Sequence, residues 1–224
     1  MNTIDKFSFF EKKVIIRVDF NVPINNTEVT DNSRIVAALP TIKKIISDGG
    51  SCVLMSHLGR PNEFDPSLSM RNIVNEVEQV LGSEILLSKD VVGPDAKYKS
   101  KNLKPGEILL LENLRFHKEE TEGDVVFAEE LSKLADCYIN DAFGTAHRAH
   151  ASTTIIAQFF KHKFFGKLLE KEVLSIDKVM KSGEKPVLAI LGGAKISTKL
   201  PIVENIMDVV DHIIIGGGMS FTFV

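Results

Sequence analysis

Short runs of apolar residues recur along the chain, and between them lie segments that carry an apolar residue at every third or fourth position. The apolar runs cover residues 13–18, 52–55, 108–111, 136–139, 187–191 and 212–215. Near-continuous runs of this length are typical of strands in a parallel sheet that is covered on both faces. Helical periodicity is found in residues 35–47, 72–81 and 167–181, and Asp124 is the predicted N-cap of a further helix. This alternation predicts an α/β fold, a doubly wound parallel sheet of the Rossmann-like kind with three α/β/α layers.

The long helical pattern at residues 167–181 raises the question of where one domain ends. Residues 182–186, which include a glycine and a proline, break the pattern before the next apolar run. Two interpretations fit: the helix connects two domains, or it is another crossover helix within a single sheet. The periodicity alone does not decide between them.

The composition is that of an ordinary globular protein and excludes several classes. Hydrophobic residues make up 44% and charged residues 25% of the 224 residues, which excludes a disordered or fibrous chain. No apolar run reaches the roughly 18 residues that span a bilayer, and the first residues do not form an export signal, so we expect a cytoplasmic protein. A net charge of −3 predicts no binding to nucleic acid or to a membrane. Cys52 and Cys137 lie in apolar segments and are predicted to be buried thiols.

Polar side chains follow each of the first four predicted strands. In an open parallel sheet the ligand site lies beyond the carboxyl ends of the strands. The residues at these positions are Asp19, Asn21, Arg34, His57, Arg60, Arg115 and Arg148. Only 6 of the 27 basic residues are arginines, yet four of those six are in this group. Because a planar guanidinium group suits a phosphate or a carboxylate, the pattern predicts a site for a small phosphorylated carboxylic acid.

Each of these residues also has a purely structural interpretation. Arg34 could form a surface ion pair with Asp31 at the start of a helix. His57 could be a hydrogen-bonded core or loop histidine, and Asp19 and Asn21 could simply form a turn. If all of these structural interpretations were correct, unrelated polar residues would lie together at the same edge of one sheet by chance. We therefore favour a single site in which they converge.

Two glycine clusters, at residues 192–193 and 216–218, follow the last two predicted strands. Glycine lets backbone amides approach phosphate oxygens, and Lys199 could reach a transferring phosphoryl group. Neither cluster matches the P-loop or the dinucleotide-binding fingerprint. Nucleotide binding and tight turns against helices therefore both fit this part of the sequence.

Six segments of the chain resemble the phosphoglycerate kinase family, in the family's order. They are RVDFNVP (17–23), SHLGRP (56–61), LENLRF (111–116), NDAFGTAHRAHAS (140–152), GGAK (192–195) and GGGM (216–219). The resemblance runs from about residue 14 to the last residue. It implies a two-lobed kinase that transfers a phosphoryl group between 1,3-bisphosphoglycerate and ADP, giving 3-phosphoglycerate and ATP, with Mg²⁺ on the nucleotide and no metal held by the protein.

The resemblance also implies roles for individual residues. The seven side chains at the strand ends, from Asp19 to Arg148, would hold the phosphoglycerate. Lys199, Gly217 and Gly218 would meet the nucleotide phosphates. Arg34, Lys195 and Lys199 would be the catalytic residues, with Arg34 and Lys199 approaching the transferring phosphoryl group from opposite lobes.

The domain organisation follows from the same resemblance. It implies a phosphoglycerate-binding lobe at 1–165, an interdomain helix and linker at 166–184, and the incomplete beginning of a nucleotide-binding lobe at 185–224. Residues 158–165 and Ser220 depart from the family's usual pattern, and neither departure touches the proposed chemistry. Because the last residue falls inside a motif that continues in the family, we expect a truncated chain that does not turn over by itself.

Two further expectations concern the state of the chain. The alternative to an enzyme is a non-catalytic module that binds phosphoglycerate, for which the strand-end residues would be sufficient. We expect the full-length enzyme to be a monomer and the 224-residue chain to self-associate through its exposed second lobe, because so short a second lobe cannot cover both faces of its sheet.

Overall fold

A computed structural model describes residues 2–25, 28–61, 63–182, 184–193 and 200–223. Its contacts divide the chain into two compact units, residues 1–170 (unit 1) and residues 171–224 (unit 2). The predicted catalytic residues Lys195 and Lys199 lie outside the described residues.

Unit 1 is built around a six-stranded parallel sheet. Its strands are β1 (Lys13–Arg17), β4 (Ser51–Met55), β5 (Ile85–Leu87), β6 (Ile108–Leu110), β7 (Cys137–Asn140) and β8 (Lys163–Phe165), and β2 (Ile24–Asn25) and β3 (Glu28–Val29) form a separate antiparallel hairpin. The order across the sheet is β5-β6-β4-β1-β7-β8. The sheet therefore extends to one side of β1 and later to the other, which is a doubly wound topology with its switch point beside β1.

Strands β1, β4, β6 and β7 confirm four of the predicted strands, whereas β5 and β8 were not predicted. Both have only three residues and lie at the two edges of the sheet. An edge strand has a neighbour on one side only, and in β8 both Lys163 and Phe165 are exposed. The apolar run of β5 ends at Leu87 and that of β8 covers only Phe164 and Phe165, so both runs are shorter than those on which the prediction depended.

Helices cover both faces of this sheet. They are α1 (Ser33–Ser47), α2 (Val74–Leu81), α3 (Pro94–Asn102), α4 (Lys118–Glu122), α5 (Val125–Ser132) and the beginning of α6 (Lys167–Ser182). α1 and α2 contribute to an apolar core on one face, and α3 and α5 contribute to a second core on the other face. The predicted three-layer α/β/α architecture is confirmed.

Two helix starts show how local sequence sets the element boundaries. The Asp124 carboxylate accepts a hydrogen bond from the Phe127 amide at 2.7 Å, which confirms the predicted N-cap of α5. The helix predicted from residue 72 begins at Val74 instead. Ser69 accepts from the Arg71 amide at 3.2 Å and closes a 3₁₀ turn over Met70–Asn72 first.

The two cysteines lie on the strands that flank β1. Cys52 of β4 and Cys137 of β7 are both buried, unoxidised and in register with Val14 of β1. Burial raises the pKa of both thiols, that of Cys137 to about 11. The thiols are therefore protonated at neutral pH, as predicted for core residues.

Unit 2 contains a two-stranded parallel sheet and two short helices. Its elements are β9 (Leu188–Gly192), α7 (Leu200–Ile206), β10 (His212–Gly216) and α8 (Ser220–Phe223). The two strands confirm the last two predicted strands. Apolar side chains are exposed on both of them: Leu188 is 50% exposed, Ile190 71% and Ile214 50%.

Candidate functional site

The carboxyl ends of four neighbouring strands surround a small polar cavity. It has a volume of about 160 Å³. Its wall consists of Asp19, Asn21, Arg34, His57, Arg60, Arg115, Gly144, Thr145 and Arg148. All seven side chains predicted from the strand ends therefore lie around one cavity in unit 1, at the topological switch point.

Each part of the wall is placed by a different strand or by the element after it. Asp19 and Asn21 follow β1, and Arg34 lies in the first turn of α1. His57 follows β4 within two residues. Arg115 belongs to a 3₁₀ turn after β6, where the Asn113 carboxamide oxygen accepts from its amide at 3.0 Å. Arg60 lies further along the loop after β4, and Gly144, Thr145 and Arg148 belong to the loop after β7.

Arg34 pairs with the cavity wall rather than with its sequence neighbour. Its Nη1 atom lies 2.8 Å from Oδ2 of Asp19, while Asp31 instead accepts from the Ser33 amide at 2.9 Å. The predicted alternative, a hydrogen-bonded ion pair between Arg34 and Asp31, is therefore wrong. The Arg34 side chain is still 52% exposed, so its remaining donors face solvent.

A glycine loop fixes the distance between Asn21 and Arg115. The Gly59 amide donates to Oδ1 of Asn21, and Nη1 of Arg115 donates to the Gly59 carbonyl, both at 2.8 Å. Gly59 has a φ of +64°, and a Cβ there would lie 2.7 Å from the Leu68 side chain. The position therefore requires glycine for both its backbone conformation and its close packing.

Positive charge is concentrated in this wall. Burial, followed by the neighbouring guanidinium groups of Arg148, Arg17 and Arg60, lowers the pKa of Arg115. Asp19 is the only carboxylate among the wall residues, against four arginines. A bound anion would relieve this mutual repulsion, so the cavity favours phosphate or carboxylate groups.

His57 is both a wall residue and a buried histidine, so its two interpretations are compatible. It is 5% exposed, and its Nδ1 atom lies 3.1 Å from Nη2 of Arg17. Burial, followed by the charge of Arg17, lowers the pKa of His57 to about 2. The imidazole is therefore neutral at physiological pH and can act in the site only as a neutral donor or acceptor.

Arg17 contacts His57 behind the wall, and the sequence prediction left it out of the site, as it left out Gly144 and Thr145 of the wall. It is the last residue of β1 and is only 1% exposed, which is rare for arginine. The signal was present in the sequence, because Arg17 interrupts an otherwise apolar strand.

A larger cavity lies beside the polar one. It has a volume of about 560 Å³ and shares Asn21 with the polar cavity, but its other lining residues include no cation. Asn72, one of the polar residues that line it, donates its Nδ2 hydrogens to the Pro66 and Ser67 carbonyls. We therefore place the anion site in the smaller cavity.

The glycines of unit 2 meet at the carboxyl ends of its two strands. Gly192 of β9 and Gly216 of β10 are in register, and a Cβ on Gly217 or Gly218 would lie 3.9 Å from backbone atoms of Gly193. Gly217 has a φ of +66°. Gly217 and Gly218 therefore belong to a compact glycine-lined turn of unit 2, whereas the seven predicted residues of the polar cavity belong to unit 1.

The family model described as "PGK: Phosphoglycerate kinase" matches residues 4–224. The chain belongs to the phosphoglycerate kinase family. Curated relatives agree with this. A phosphoglycerate kinase of Porphyromonas gingivalis is 47% identical over 248 residues, covering 99% of this chain and 59% of the relative. One of Campylobacter jejuni, serotype O:6, is 49% identical over 216 residues, covering 95% and 54%. The chain thus spans about half the length of the curated relatives it matches.

Solved structures of this family share the fold. The phosphoglycerate kinase of Coxiella burnetii aligns with a TM-score of 0.85 and 37% identity, over 99% of this chain and 56% of its own. That of Pyrococcus horikoshii OT3 aligns with a TM-score of 0.89 and 32% identity, over 100% and 57%. The α/β fold with a mostly parallel sheet is therefore that of the family.

Two features are absent from the described residues. Across residues 2–25, 28–61, 63–182, 184–193 and 200–223, no three His, Cys, Asp or Glu side chains are grouped so that they could hold a metal ion. In the same part of the chain, no helix combines the length and the apolar character that a bilayer crossing demands.

Proposed function

We propose that unit 1 binds 3-phosphoglycerate or 1,3-bisphosphoglycerate as the acid-binding part of a phosphoglycerate kinase, which transfers a phosphoryl group between 1,3-bisphosphoglycerate/ADP and 3-phosphoglycerate/ATP in glycolysis. The observation that carries the proposal is the convergence of four arginines, one carboxylate and three neutral polar side chains on one cavity of about 160 Å³. Membership of the family supplies the identity of the acid.

The wall residues divide the recognition of such a ligand among them. Arg60, Arg115 and Arg148 offer planar donor pairs that match phosphate and carboxylate oxygens. Asn21 and His57 are neutral, so they can bind the hydroxyl or carboxyl end without adding charge. Oδ2 of Asp19 lies 2.8 Å from Nη1 of Arg34 and holds that side chain in place. Asp19 can also accept a hydrogen bond from the ligand hydroxyl.

The chemistry demands positioning and charge neutralisation from this wall. An acyl phosphate already has a good leaving group, so the protein has no need of a covalent nucleophile. Fixing the donor acid by several hydrogen bonds holds the reacting groups in a productive orientation. Because Arg34 keeps exposed donors beside Asp19, we assign it the role of meeting the transferred phosphoryl group.

The nucleotide side of the proposal rests on the family resemblance. We assign Lys199, Gly217 and Gly218 to the nucleotide phosphates and Lys195 to the neighbourhood of the transferred group. The family resemblance implies that Mg²⁺ is carried by the ADP or ATP phosphates. We further propose a cytoplasmic location and a monomeric full-length enzyme.

Calorimetry of the 224-residue chain tests the binding proposal. We expect weak but measurable binding of 3-phosphoglycerate and hardly any binding of ATP. Replacing Arg148 with Met removes one bidentate donor, so the affinity should fall by about tenfold or more. Arg71→Met is the matched control, because Arg71 is exposed and does not line the cavity. Equal losses in the two variants, or no binding by the parent chain, would contradict the proposal.

A non-catalytic binding module is the second candidate, since the whole polar cavity belongs to unit 1. A coupled assay of ATP formation from 1,3-bisphosphoglycerate and ADP distinguishes the two. We expect binding without turnover from these 224 residues, and turnover where the remaining length of the relatives is also present. If the added length yields no ATP, the binding module is correct.

A further inference from the structure

A buried hydrogen-bond network lies behind the cavity wall and ends at His57. Its centre is the guanidinium group of Arg17. Nε of Arg17 donates to Oγ of Ser152 at 2.9 Å, and Nη1 donates to the Val18 carbonyl. Nη2 is the group that lies 3.1 Å from Nδ1 of His57. All three nitrogen atoms of the guanidinium group therefore have a hydrogen-bond partner.

The chemistry of arginine decides the tautomer of His57. A guanidinium group has only donors, so Nδ1 of His57 must be the acceptor of the bond from Arg17. A neutral imidazole carries one proton, which is then on Nε2. The structure gives the His57 ring no other hydrogen bond among the described residues. Nε2–H is thus left to donate to a molecule in the cavity.

The same reasoning continues on the other side of Arg17. Because Oγ of Ser152 accepts from Arg17, the hydroxyl proton is directed to Oε1 of Glu120, at 2.6 Å. Oε2 of Glu120 accepts from the Ser152 amide at 2.9 Å. Glu120 is 1% exposed, and its charge opposes the effect of burial on the pKa of Arg17. The carboxylate therefore both neutralises Arg17 and orients it through Ser152.

The surroundings of His57 oppose its protonation. The charged and titratable groups that act on it are Arg17, Arg115, Arg34 and His150, and each lowers the pKa of His57, as does burial. Because so many cations surround it, His57 would become an imidazolium and bind an anion in that form only at strongly acidic pH. The network holds it neutral, with a fixed hydrogen-bond direction.

We propose that Arg17, Ser152 and Glu120 are positioning residues that hold His57 as the Nε2–H tautomer, a neutral donor to the acid bound in the cavity. The proposal rests on the proposed function for the identity of that acid. It gives His57 a role that is independent of pH across the physiological range. It also makes Glu120, which does not line the cavity, part of ligand recognition.

The tautomer can be measured without any ligand. Long-range ¹H–¹⁵N spectra of histidine rings distinguish Nδ1–H, Nε2–H and the imidazolium form. The chain has 6 histidines, and the signal lost in His57→Gln assigns the ring. We expect the Nε2–H form of His57 at every pH from about 5 to 8. Titration in that range, or an Nδ1–H signal, would overturn the proposal.

Variants of the network then test its cause. Arg17→Met/Glu120→Gln removes one positive and one negative charge together, so the net charge of the chain is unchanged. In this variant we expect the pKa of His57 to rise, although burial and the remaining cations still hold it below the ordinary histidine value, and we expect the ring to populate both tautomers. Glu122→Gln, at an exposed position of the same helix, is the control and should leave the ring unchanged.

Ser152→Ala keeps the test decisive if the double variant does not fold. It removes only the hydroxyl that links Arg17 to Glu120, and a mixture of His57 tautomers is again expected. Ring signals identical to those of the parent chain, in whichever of these variants folds, would show that the network does not set the tautomer.

Binding gives a second and separate readout. With 3-phosphoglycerate as the probe, we expect the network variants to lose about tenfold in affinity, the equivalent of one charge-assisted hydrogen bond. Unchanged affinity in a variant with altered His57 signals would overturn the donor role. Absence of binding in the parent chain would refute the proposed function instead, while the tautomer measurement would stand.

Discussion

Asp141 offers a quantitative test of how the sheet and α6 are joined. It follows β7 directly and is fully buried. Oδ1 accepts from the amides of Leu168 and Leu169 at 2.9 and 3.1 Å, which caps the N-terminus of α6 from a distant part of the chain. Gly166 makes this approach possible, since a Cβ there would lie 2.3 Å from Cγ of Asp141.

Replacing Asp141 with Ala should lower the free energy of unfolding by about 2–5 kcal/mol. A net hydrogen bond contributes about 0.5–1.5 kcal/mol, and each amide left buried and unpaired costs about 1–3 kcal/mol. Asp141→Asn keeps an acceptor at the position of Oδ1, so its cost should be within about 1 kcal/mol. Asp177→Ala, on the exposed part of α6, is the control.

Because Asp141 can be charged, its contribution to the stability of the folded chain also depends on pH. Burial raises the pKa of this carboxyl group, against the opposing effect of Thr41 and the two α6 amides. The folded chain therefore holds the proton more tightly than the unfolded chain. This contribution to stability is complete below the ordinary carboxyl pKa of about 4 and is lost as the pH rises through the raised value. Asp141→Asn should lack that loss.

Urea denaturation of the variants at several pH values measures both effects. If Asp141→Ala costs no more than Asp177→Ala, the capping role is wrong. If Asp141→Asn is as damaging as Asp141→Ala, the negative charge matters rather than the acceptor geometry. Either result would refute the reasoning from the two hydrogen bonds.

Three further outcomes are expected. Asp124→Ala should destabilise the chain by about 1 kcal/mol in urea, because the Phe127 amide loses its cap, and an unchanged midpoint would contradict this. The pKa of Glu130 is lowered to about 2, first by Lys133, so its contribution to stability is present above the ordinary carboxyl pKa and is lost as the pH falls. Glu130→Gln should therefore reduce the loss of folding stability as the pH falls. An equal loss in the variant and the parent chain would contradict a stabilising role of the ion pair. Ile190 is 71% exposed on β9, so Ile190→Lys should shift sedimentation of the chain towards monomer, whereas a parent chain that is already monomeric would exclude self-association.

The fold was predictable wherever a strand was long and central. β1 and β4 are buried on both faces, so their apolar runs are unmistakable in the sequence. The edge strands β5 and β8 were missed because their apolar runs are shorter than those of the central strands, that of β6 continuing through Leu111. The polar cavity was predictable for a related reason: parallel strands bring their carboxyl ends to one edge, so residues distant in sequence converge without any knowledge of their side chains.

The partners of the site residues were not predictable. Arg34 has acidic residues at positions 19 and 31, and only the path of the chain between β1 and α1 decides that its hydrogen bond goes to Asp19. The network from His57 to Glu120 joins residues 63 positions apart in sequence order, and the contacts depend on packing against the loop after β7. Sequence patterns locate such a loop but do not give its conformation.

Backbone amide chemical-shift mapping of the 224-residue chain during titration with 3-phosphoglycerate tests the central claim most directly. The polar cavity predicts that the perturbed amides cluster at residues 19–21, 57–60, 115 and 144–148, with little change at Ser67, Leu68 and Asn72, which line only the larger cavity. Perturbation concentrated at the glycine turn of unit 2, at residues 216–218, or no perturbation at saturating ligand, would contradict the assignment of this cavity.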